Sequence, residues 1–395
     1  MLPKFYIFGG LMSARLIVTP VENAAERAQF ARFQWEIYKD DPYWVPSLVS
    51  ERESFIDPGH HPFFKHAKIQ CFLARRGDKI VGRIAGIINH NHNRYWNDKV
   101  GFFGLYEVLE DREASDALLE AAENFSRHEG MNTVRGPMNY STNEECGLLV
   151  DGWGVPVMML TYNPRYYVDF IENSGYVKAQ DLYAYWMDLT RCTLEGGGLS
   201  EKTVRVAQKV REHMNITVRS FNMRDFDAEA ERFKAIYNAA WSRNWGFVPV
   251  TDEEFEYEVR QLKPFLDSRV IFFAEKEDVL VGAMIPLPDI NQVFHKAYPR
   301  PGVPDWWSLA KALYWWKIRK SITTIRAFAG GVIEEYRGRG VDAVLFMETF
   351  KSGLRQGYKN AEISWVLESN QPMRQTAVNF GAKIYRTYRV YDKPL

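Results

Sequence analysis

The sequence predicts an α/β protein built from two similar domains in tandem, and three observations carry this prediction. A chain of 395 residues, 46% of them apolar, is long for a single hydrophobic core. The stretches "FLARRGDKIVG" at 72–82 and "FFAEKEDVLVG" at 272–282 align without a gap, which indicates an internal repeat. Near the end of the chain, a strand-like run passes through a glycine-rich turn into a helical run.

The composition excludes several classes of protein. Lys plus Arg and Asp plus Glu are both 50, so no chain-wide field attracts nucleic acid or an anionic membrane. Cys71, Cys146 and Cys192 lie far apart without a CxxC pair, which argues against a disulfide framework and a zinc site. We therefore expect a reducing, cytoplasmic setting.

The first residues are interpreted as an extension of the fold. Their apolar run is far shorter than the roughly 20 residues that span a bilayer, so no membrane span is predicted here. A secretory signal is the weaker alternative, because Arg15 soon interrupts the run.

The repeat sets the domain boundaries. Each copy is typical of a β-hairpin, with two apolar runs around a charged turn. The glycines and polar residues of "TLEGGGLSEK" indicate a linker. We predict an extension at 1–14, an N-terminal domain at 15–192, a linker at 193–202 and a C-terminal domain at 203–395.

The most specific motif lies in "GVIEEYRGRGVDAVLFMETF", residues 331–350. Residues 322–332 are typical of a strand, and Gly330-Gly331 indicate either a bulge or the close approach of a ligand. Apolar residues from Ala343 onward recur at helical spacing, which predicts a helix ending near Gly357.

The turn between this strand and this helix is a candidate anion site. A glycine-rich turn at a helix N-terminus exposes backbone N–H groups that suit a phosphate or diphosphate. The alternative is a surface turn with solvated arginines. The spacing fits neither a P-loop nor the dinucleotide fingerprint.

The turn, Arg337-Gly338-Arg339-Gly340-Val341-Asp342, resembles the loop with which the GNAT (GCN5-related N-acetyltransferase) family binds the pyrophosphate of acetyl-CoA. The family pattern is Q/R-x-x-G-x-G/A, between a bulged strand and a helix. The order that follows is also similar: the alternating strand "AEISWVLESN", Asn370 at a helix start, then Gly381 and a closing strand. The whole chain resembles bacterial proteins with two GNAT-like domains in tandem.

This resemblance implies two GNAT-like domains, each with a mixed, mostly antiparallel sheet flanked by helices. It implies acetyl-CoA or another acyl-CoA as co-substrate and no metal. The residues it assigns to acyl-CoA are Val332, Ile333, Arg337, Gly338, Arg339, Gly340, Val341, Asp342, Ala343 and Asn370. In the N-terminal domain, "EVLEDREASDALLEAA" occupies the place of the loop and contains no glycine, so only the C-terminal domain is expected to bind acyl-CoA.

Two positions depart from the family pattern. Asp342 stands where Gly or Ala is usual, and its carboxylate would repel a diphosphate unless it turns away. The tyrosine that protonates the departing thiolate in many family members is replaced by Ala377, and by Ile171 in the first half. Tyr385 or Tyr388 is the alternative acid.

The resemblance also implies direct transfer from the thioester to an amine, without a covalent enzyme intermediate. The expected oxyanion donors are backbone N–H groups around Gly331, Val332 and Ile333. No base is assigned, because each nearby carboxylate is either a base or a solvated surface charge. These carboxylates are Glu334, Glu335, Glu362 and Glu368.

Weaker signals remain open. The pairs His90/His92 and His60/His61 are interpreted as polar turns in preference to metal sites. Segments 241–249 and 136–147 either contact the acceptor or have a structural role. Four tryptophans of an insertion either line an acyl channel or pack, and the spacing of Leu309, Leu313 and Trp316 favours packing. These are Trp306, Trp307, Trp315 and Trp316.

The function predicted from these residues and the resemblance is N-acyl transfer, most simply acetyl transfer, from CoA to a small-molecule or peptide amine. Transferases that extend peptidoglycan share such a tandem architecture. The alternative is a non-catalytic acyl-CoA sensor or scaffold.

Overall fold

A computed structural model describes residues 14–191 and 201–395. The predicted extension, apart from residue 14, and residues 193–200 of the predicted linker lie outside these ranges. The division into domains at that linker stays a prediction.

The described residues form alternating strands and helices. The strands are β1 (Leu16–Pro20), β2 (Ala67–Arg76), β3 (Lys79–Asn89), β4 (Val100–Val108), β5 (Thr133–Gly136), β6 (Leu148–Asp151), β7 (Val177–Asp188), β8 (Ile216–Ser220), β9 (Phe272–Lys276), β10 (Val279–Pro288), β11 (Thr324–Val332), β12 (Asn360–Leu367) and β13 (Lys383–Pro394). The helices are α1 (Ala24–Arg32), α2 (Gln34–Ile37), α3 (Val49–Phe55), α4 (His90–Trp96), α5 (Arg112–His128), α6 (Tyr166–Asn173), α7 (Glu201–Met214), α8 (Phe226–Trp241), α9 (Asp252–Leu262), α10 (Asn291–Ala297), α11 (Asp305–Leu313), α12 (Val341–Arg355) and α13 (Gln371–Asn379).

All of the strands join one mixed sheet, in the order β1-β2-β3-β4-β5-β13-β7-β12-β11-β10-β9-β8, with β6 paired to β13. The pairs β4–β5 and β11–β12 are parallel and the other pairs are antiparallel. The sheet is therefore pseudo-symmetric about its centre, which confirms the predicted α/β class with a mixed, mostly antiparallel sheet.

The two halves of the sheet exchange their last strands. Strand β7 follows the N-terminal helices in sequence but pairs with β12, whereas the C-terminal strand β13 pairs with β5 and β6. Separating the halves would expose the edges of both β7 and β13, so the exchange ties them into one sheet.

The predicted repeat is visible as two hairpins. Strands β2 and β3 pair antiparallel, as do β9 and β10. Gly77 in the first turn has a φ of 59°, and Glu277 and Asp278 in the second have φ values of 50° and 65°. Within the described ranges, every helix is too short or too polar to cross a bilayer.

The structure bears on two local predictions, the bulge that was one alternative for Gly330-Gly331 and the alternation of β12. The register passes from Ile285–Ala329 to Pro286–Ala327, which places the bulge of β11 at Phe328 and not at the glycine pair. Gly331 instead accommodates Trp241, since an added Cβ would lie 2.5 Å from its ring. In β12 a register shift between Ile363 and Val366 breaks the expected alternation.

Candidate active site

The glycine-rich turn leads directly into the N-terminus of α12. Gly338 and Gly340 have φ values of 67° and 85°, a region that glycine enters at little cost. Gly340 is the N-cap residue, and no side chain caps this end of the helix. The first N–H groups, at 341–343, therefore donate no hydrogen bond to a capping side chain. Such groups, together with the helix dipole, suit an anion.

The two glycines differ in their surroundings. A Cβ added at Gly338 would meet nothing within 4 Å. A Cβ added at Gly340 would lie 2.6 Å from Val206 Cγ1 and 3.0 Å from Val210 Cγ2, both on α7. A glycine at 340 is therefore required for two reasons: the backbone has a positive φ, and α7 packs too closely for a Cβ.

The two arginines of the turn have different roles. Arg337 Nε donates to Val332 O at 3.1 Å, and its Nη2 donates to Ala240 O, so this side chain braces the turn against β11 and α8. Arg339 is exposed and its guanidinium lies 5.7 Å from the centre of the Tyr336 ring. Arg339 therefore adds an exposed positive charge to the turn.

Asp342 and Asn370 both engage α13. Asp342 Oδ2 accepts a hydrogen bond from Thr376 Oγ1 at 2.9 Å, which holds the carboxylate toward α13. Asn370 Oδ1 accepts from Met373 N at 3.2 Å and caps that helix, as the sequence predicts. The expected repulsion at Asp342 is weakened by this orientation.

An opening separates β11 from β12 beyond the bulge. Parallel pairing covers only Thr324–Ala327 and Asn360–Ile363, although both strands continue. Ile333 N donates to Val281 O at 3.0 Å, so this expected oxyanion donor is already engaged. Because alternate residues of a strand point to opposite neighbours, the N–H groups of Gly330 and Val332 face the opening.

Of the four carboxylates near the turn, only Glu362 is deeply buried. Glu334 and Glu335 are exposed, and Glu368 pairs with Lys178 at 2.7 Å. Glu362 is fully buried; its Oε2 accepts from Ser364 Oγ at 2.9 Å and lies 3.6 Å from Arg326 Nε. Burial raises the pKa of Glu362 to about 7, and the Arg326 charge opposes this shift.

Tyr385 and Tyr388 belong to the same buried polar cluster. The Tyr385 hydroxyl is buried without a hydrogen-bond partner, as is Glu362 Oε1. Burial raises the pKa of Tyr385 well above its usual value, and the Glu362 charge adds to this shift. Burial also raises the pKa of Tyr388 to about 12. Both tyrosines are therefore neutral at physiological pH.

A cavity of about 540 Å³ lies between the N-terminal elements and α9 and α10. This volume is typical of small-molecule sites, which span roughly 300–1,000 Å³. Its walls combine carboxylates with a large apolar surface. The apolar walls include Trp44, Leu48, Phe55, Leu105, Leu262 and Phe294.

Two glutamates from distant parts of the chain meet in this cavity. Carboxylate oxygens of Glu144 and Glu258 and a ring nitrogen of His61 all lie within 4.8 Å of one another. Burial raises the pKa of Glu258 to about 7, and burial together with the Glu258 charge raises that of Glu144. The pair therefore still holds a proton at pH values where isolated glutamates are ionised.

His61 faces this pair as a neutral imidazole. It is 3% exposed, and burial lowers its pKa to about 4. Phe63 N donates to its Nδ1 at 3.3 Å, which leaves the proton on Nε2, a buried atom without a partner. A metal ion would require the opposite tautomer with a free Nε2 lone pair, so the geometry favours a polar ligand over a cation bound to His61.

Segment 136–147 lines the cavity and also joins the two halves. Thr142 Oγ1 donates to Gly246 O at 2.8 Å, and Asn143 Nδ2 donates to Val248 O at 3.3 Å. Segment 241–249 thus packs against the N-terminal half. These hydrogen bonds give both segments a structural role, and contact with an acceptor stays a prediction.

A chain of contacts links the cavity to β11. The Tyr237 hydroxyl donates to Asn143 Oδ1, next to Glu144 in sequence. The Tyr237 ring stacks on Trp241 with centroids 4.8 Å apart, and Trp241 packs against Gly331. The carboxylate pair is therefore connected to the opening through two aromatic side chains.

The predicted packing of the insertion is only partly correct. Trp315 and Trp316 are half-buried and pack around α10, but Leu309 and Leu313 are exposed. Trp306 and Trp307 are also exposed.

The meeting of Glu144 and Glu258 was not predicted from the sequence, and His61, interpreted there as part of a polar turn, is buried beside them. Glu258 is separated from Glu144 by more than a hundred residues, and no spacing connects them. The polar character of 136–147 was the available signal.

No family model matches this chain. It is 34% identical over 389 residues to the bacterial ceramide synthase of Caulobacter vibrioides, an alignment that covers 97% of this chain and 98% of that protein. It is 31% identical over 391 residues to Protein YghO of Escherichia coli, covering 98% and 97%. Among solved structures, it resembles a tandem GNAT protein from the clavulanic acid biosynthesis pathway, with 12% identity, a TM-score of 0.53 and coverage of 96% and 98%.

Proposed function

We propose that this chain, which belongs to the family of the bacterial ceramide synthase and has the fold of tandem GNAT proteins, is an acyl-CoA-dependent N-acyltransferase with a long-chain amine as acceptor. The observation that carries the proposal is the glycine-rich turn beside an opening between parallel strands, which Tyr237 and Trp241 connect to a cavity with an acidic end.

The acyl donor would bind at the turn. The N–H groups at 341–343 and the Arg339 guanidinium suit the diphosphate of CoA. The thioester would enter the opening between β11 and β12, where the N–H groups of Gly330 and Val332 suit a developing oxyanion.

The acceptor would occupy the cavity. A ceramide is an amide of a long-chain amino alcohol, so the name of the Caulobacter relative supports an amphipathic acceptor. The apolar walls suit an alkyl chain, and the carboxylate pair suits an ammonium group. His61 Nε2 would donate to a hydroxyl of the same head group.

The Glu144–Glu258 pair is proposed as the base. Both carboxyl groups reach the cavity, whereas Glu362 has no exposed surface and is occupied by Ser364 and Arg326. We propose that Glu362 has a structural role and compensates the buried charge of Arg326.

The proposed reaction is direct transfer. The amine nitrogen attacks the thioester carbon; the C–N bond forms and the C–S bond breaks, releasing CoA. Of the two protons that the ammonium nitrogen loses, one goes to the carboxylate pair and the other neutralises the thiolate.

Calorimetry with acetyl-CoA and a long-chain acyl-CoA tests the donor site, with Gly338→Asp as the disabled variant, because a Cβ at Gly338 meets no neighbouring atom. We expect micromolar binding that the variant loses, and release of CoA thiol that depends on an added long-chain amine. Binding without turnover would favour the sensor alternative. Absence of binding would overturn the proposal.

A further inference from the structure

The insertion between β10 and β11 presents an apolar surface to solvent. Helix α11 continues into a π-helical turn at Tyr314–Ile318. Six large apolar side chains are exposed within thirteen residues: Trp306 (68%), Trp307 (47%), Leu309 (41%), Leu313 (54%), Tyr314 (46%) and Ile318 (70%). We call this set the insertion patch. Elsewhere in the described ranges, exposed apolar side chains are scattered, and a contiguous patch of this kind marks an interaction site.

Basic residues are interspersed with the insertion patch in the sequence. Between 305 and 320 the sequence has four basic residues, Lys311, Lys317, Arg319 and Lys320, and one acidic residue, Asp305. Asp305 Oδ2 accepts from Ser50 N at 3.1 Å and so faces the N-terminal half. The charge beside the patch is therefore net positive, although the chain as a whole is neutral.

The opposite side of the insertion is anchored to the protein. Trp315 and Trp316 pack around Val293 and Phe294 of α10. The Trp316 ring also stacks on Phe265, with centroids 6.2 Å apart, and Phe265 and Phe294 both line the cavity. These contacts fix the insertion to the protein, one layer of side chains from the proposed acceptor site.

We infer that the insertion patch docks the protein on an anionic lipid bilayer. Tryptophan and tyrosine favour the interfacial region of a membrane, leucine and isoleucine favour its hydrocarbon edge, and lysine and arginine favour anionic head groups. A protein partner would also cover apolar side chains, but the combination of exposed aromatic residues with basic residues in the same segment fits a bilayer best.

Sedimentation with vesicles tests this inference. The vesicles contain either phosphatidylcholine alone or equal parts of phosphatidylcholine and phosphatidylglycerol. We expect binding to the anionic vesicles that weakens with salt. Lys317→Gln/Lys320→Gln should weaken it about fivefold per cation removed, and Trp306→Ser/Ile318→Ser should abolish it. Unchanged melting temperatures would show that the variants are folded.

The matched control is Ile17→Ser/Val279→Ser, which removes two side chains of similar exposure, 51% and 62%, outside the insertion patch. This control should bind vesicles like the wild type. Equal loss in the control, or no binding by the wild type, would overturn the inference. If the wild type does not bind vesicles and a patch variant alters the molecular mass in solution, the patch instead contacts a second copy of the chain. Because vesicle binding requires no acyl transfer, its failure is distinct from failure of the proposed activity.

Discussion

Replacing Gly340 by alanine should destabilise the protein more than the same change at Gly338. Both glycines have positive φ, and an alanine in this region costs roughly 1–2 kcal/mol. Part of that cost is offset, since alanine reduces the freedom of the unfolded chain by about 0.4–1 kcal/mol. Gly338→Ala should therefore cost about 1 kcal/mol.

At Gly340 a steric term is added. The new Cβ would lie 2.6 Å from Val206 Cγ1, and overpacking of this kind costs typically about 1–3 kcal/mol. Gly340→Ala should consequently lower the free energy of unfolding by about 1–3 kcal/mol more than Gly338→Ala does.

Denaturant unfolding of both variants, each in the wild-type and Val206→Ala backgrounds, measures the difference. We expect Val206→Ala to reduce the cost of Gly340→Ala and to leave that of Gly338→Ala unchanged. Equal costs at the two glycines in the wild-type background would refute the close packing of α7 against the turn.

Three further predictions concern charge. Glu258→Gln should lower kcat by about 10²–10⁴-fold. The wild-type rate should fall as pH drops below about 7, because the pair then takes up a proton, and the variant should lack this fall. A pH–rate profile measures both effects, with Glu256→Gln, on an exposed part of the same helix, as the control. Arg339→Ala should weaken acyl-CoA binding about fivefold by calorimetry, whereas Arg337→Ala should mainly lower the melting temperature, because Arg337 bonds backbone carbonyls. Since Glu362 has a pKa raised from 4.5 to about 7 in the folded state, its contribution to stability declines as pH rises through that window. Between pH 4.5 and 7 the free energy of unfolding of the wild type should fall by about 3 kcal/mol relative to that of Glu362→Gln, as denaturant unfolding of both proteins measures. A difference that stays constant with pH would contradict the raised pKa of Glu362.

The sequence was sufficient for the parts of the fold that local patterns determine. The hairpins of the repeat, the strand–turn–helix around Gly338 and Gly340, and the cap at Asn370 depend on residues close together in the chain. Alternation, turn residues and capping residues are local signals, and these elements are confirmed.

Features that depend on distant contacts were not predictable. The exchange of β7 and β13 requires pairing across the two halves of the sheet. Each strand would show the same local sequence pattern in either half. The meeting of His61, Glu144 and Glu258 requires three separate segments. The apolar residues of the insertion have helical spacing, and only the packing around α10 decides which of them are buried.

The most direct test of the account is product analysis by mass spectrometry. Purified protein is incubated with a long-chain acyl-CoA and either a long-chain amino alcohol with a primary amine or its N,N-dimethyl analogue. We predict an amide product, resistant to hydroxylamine, from the primary amine alone. Equal CoA release with both compounds, or an ester product that hydroxylamine cleaves, would contradict N-acyl transfer.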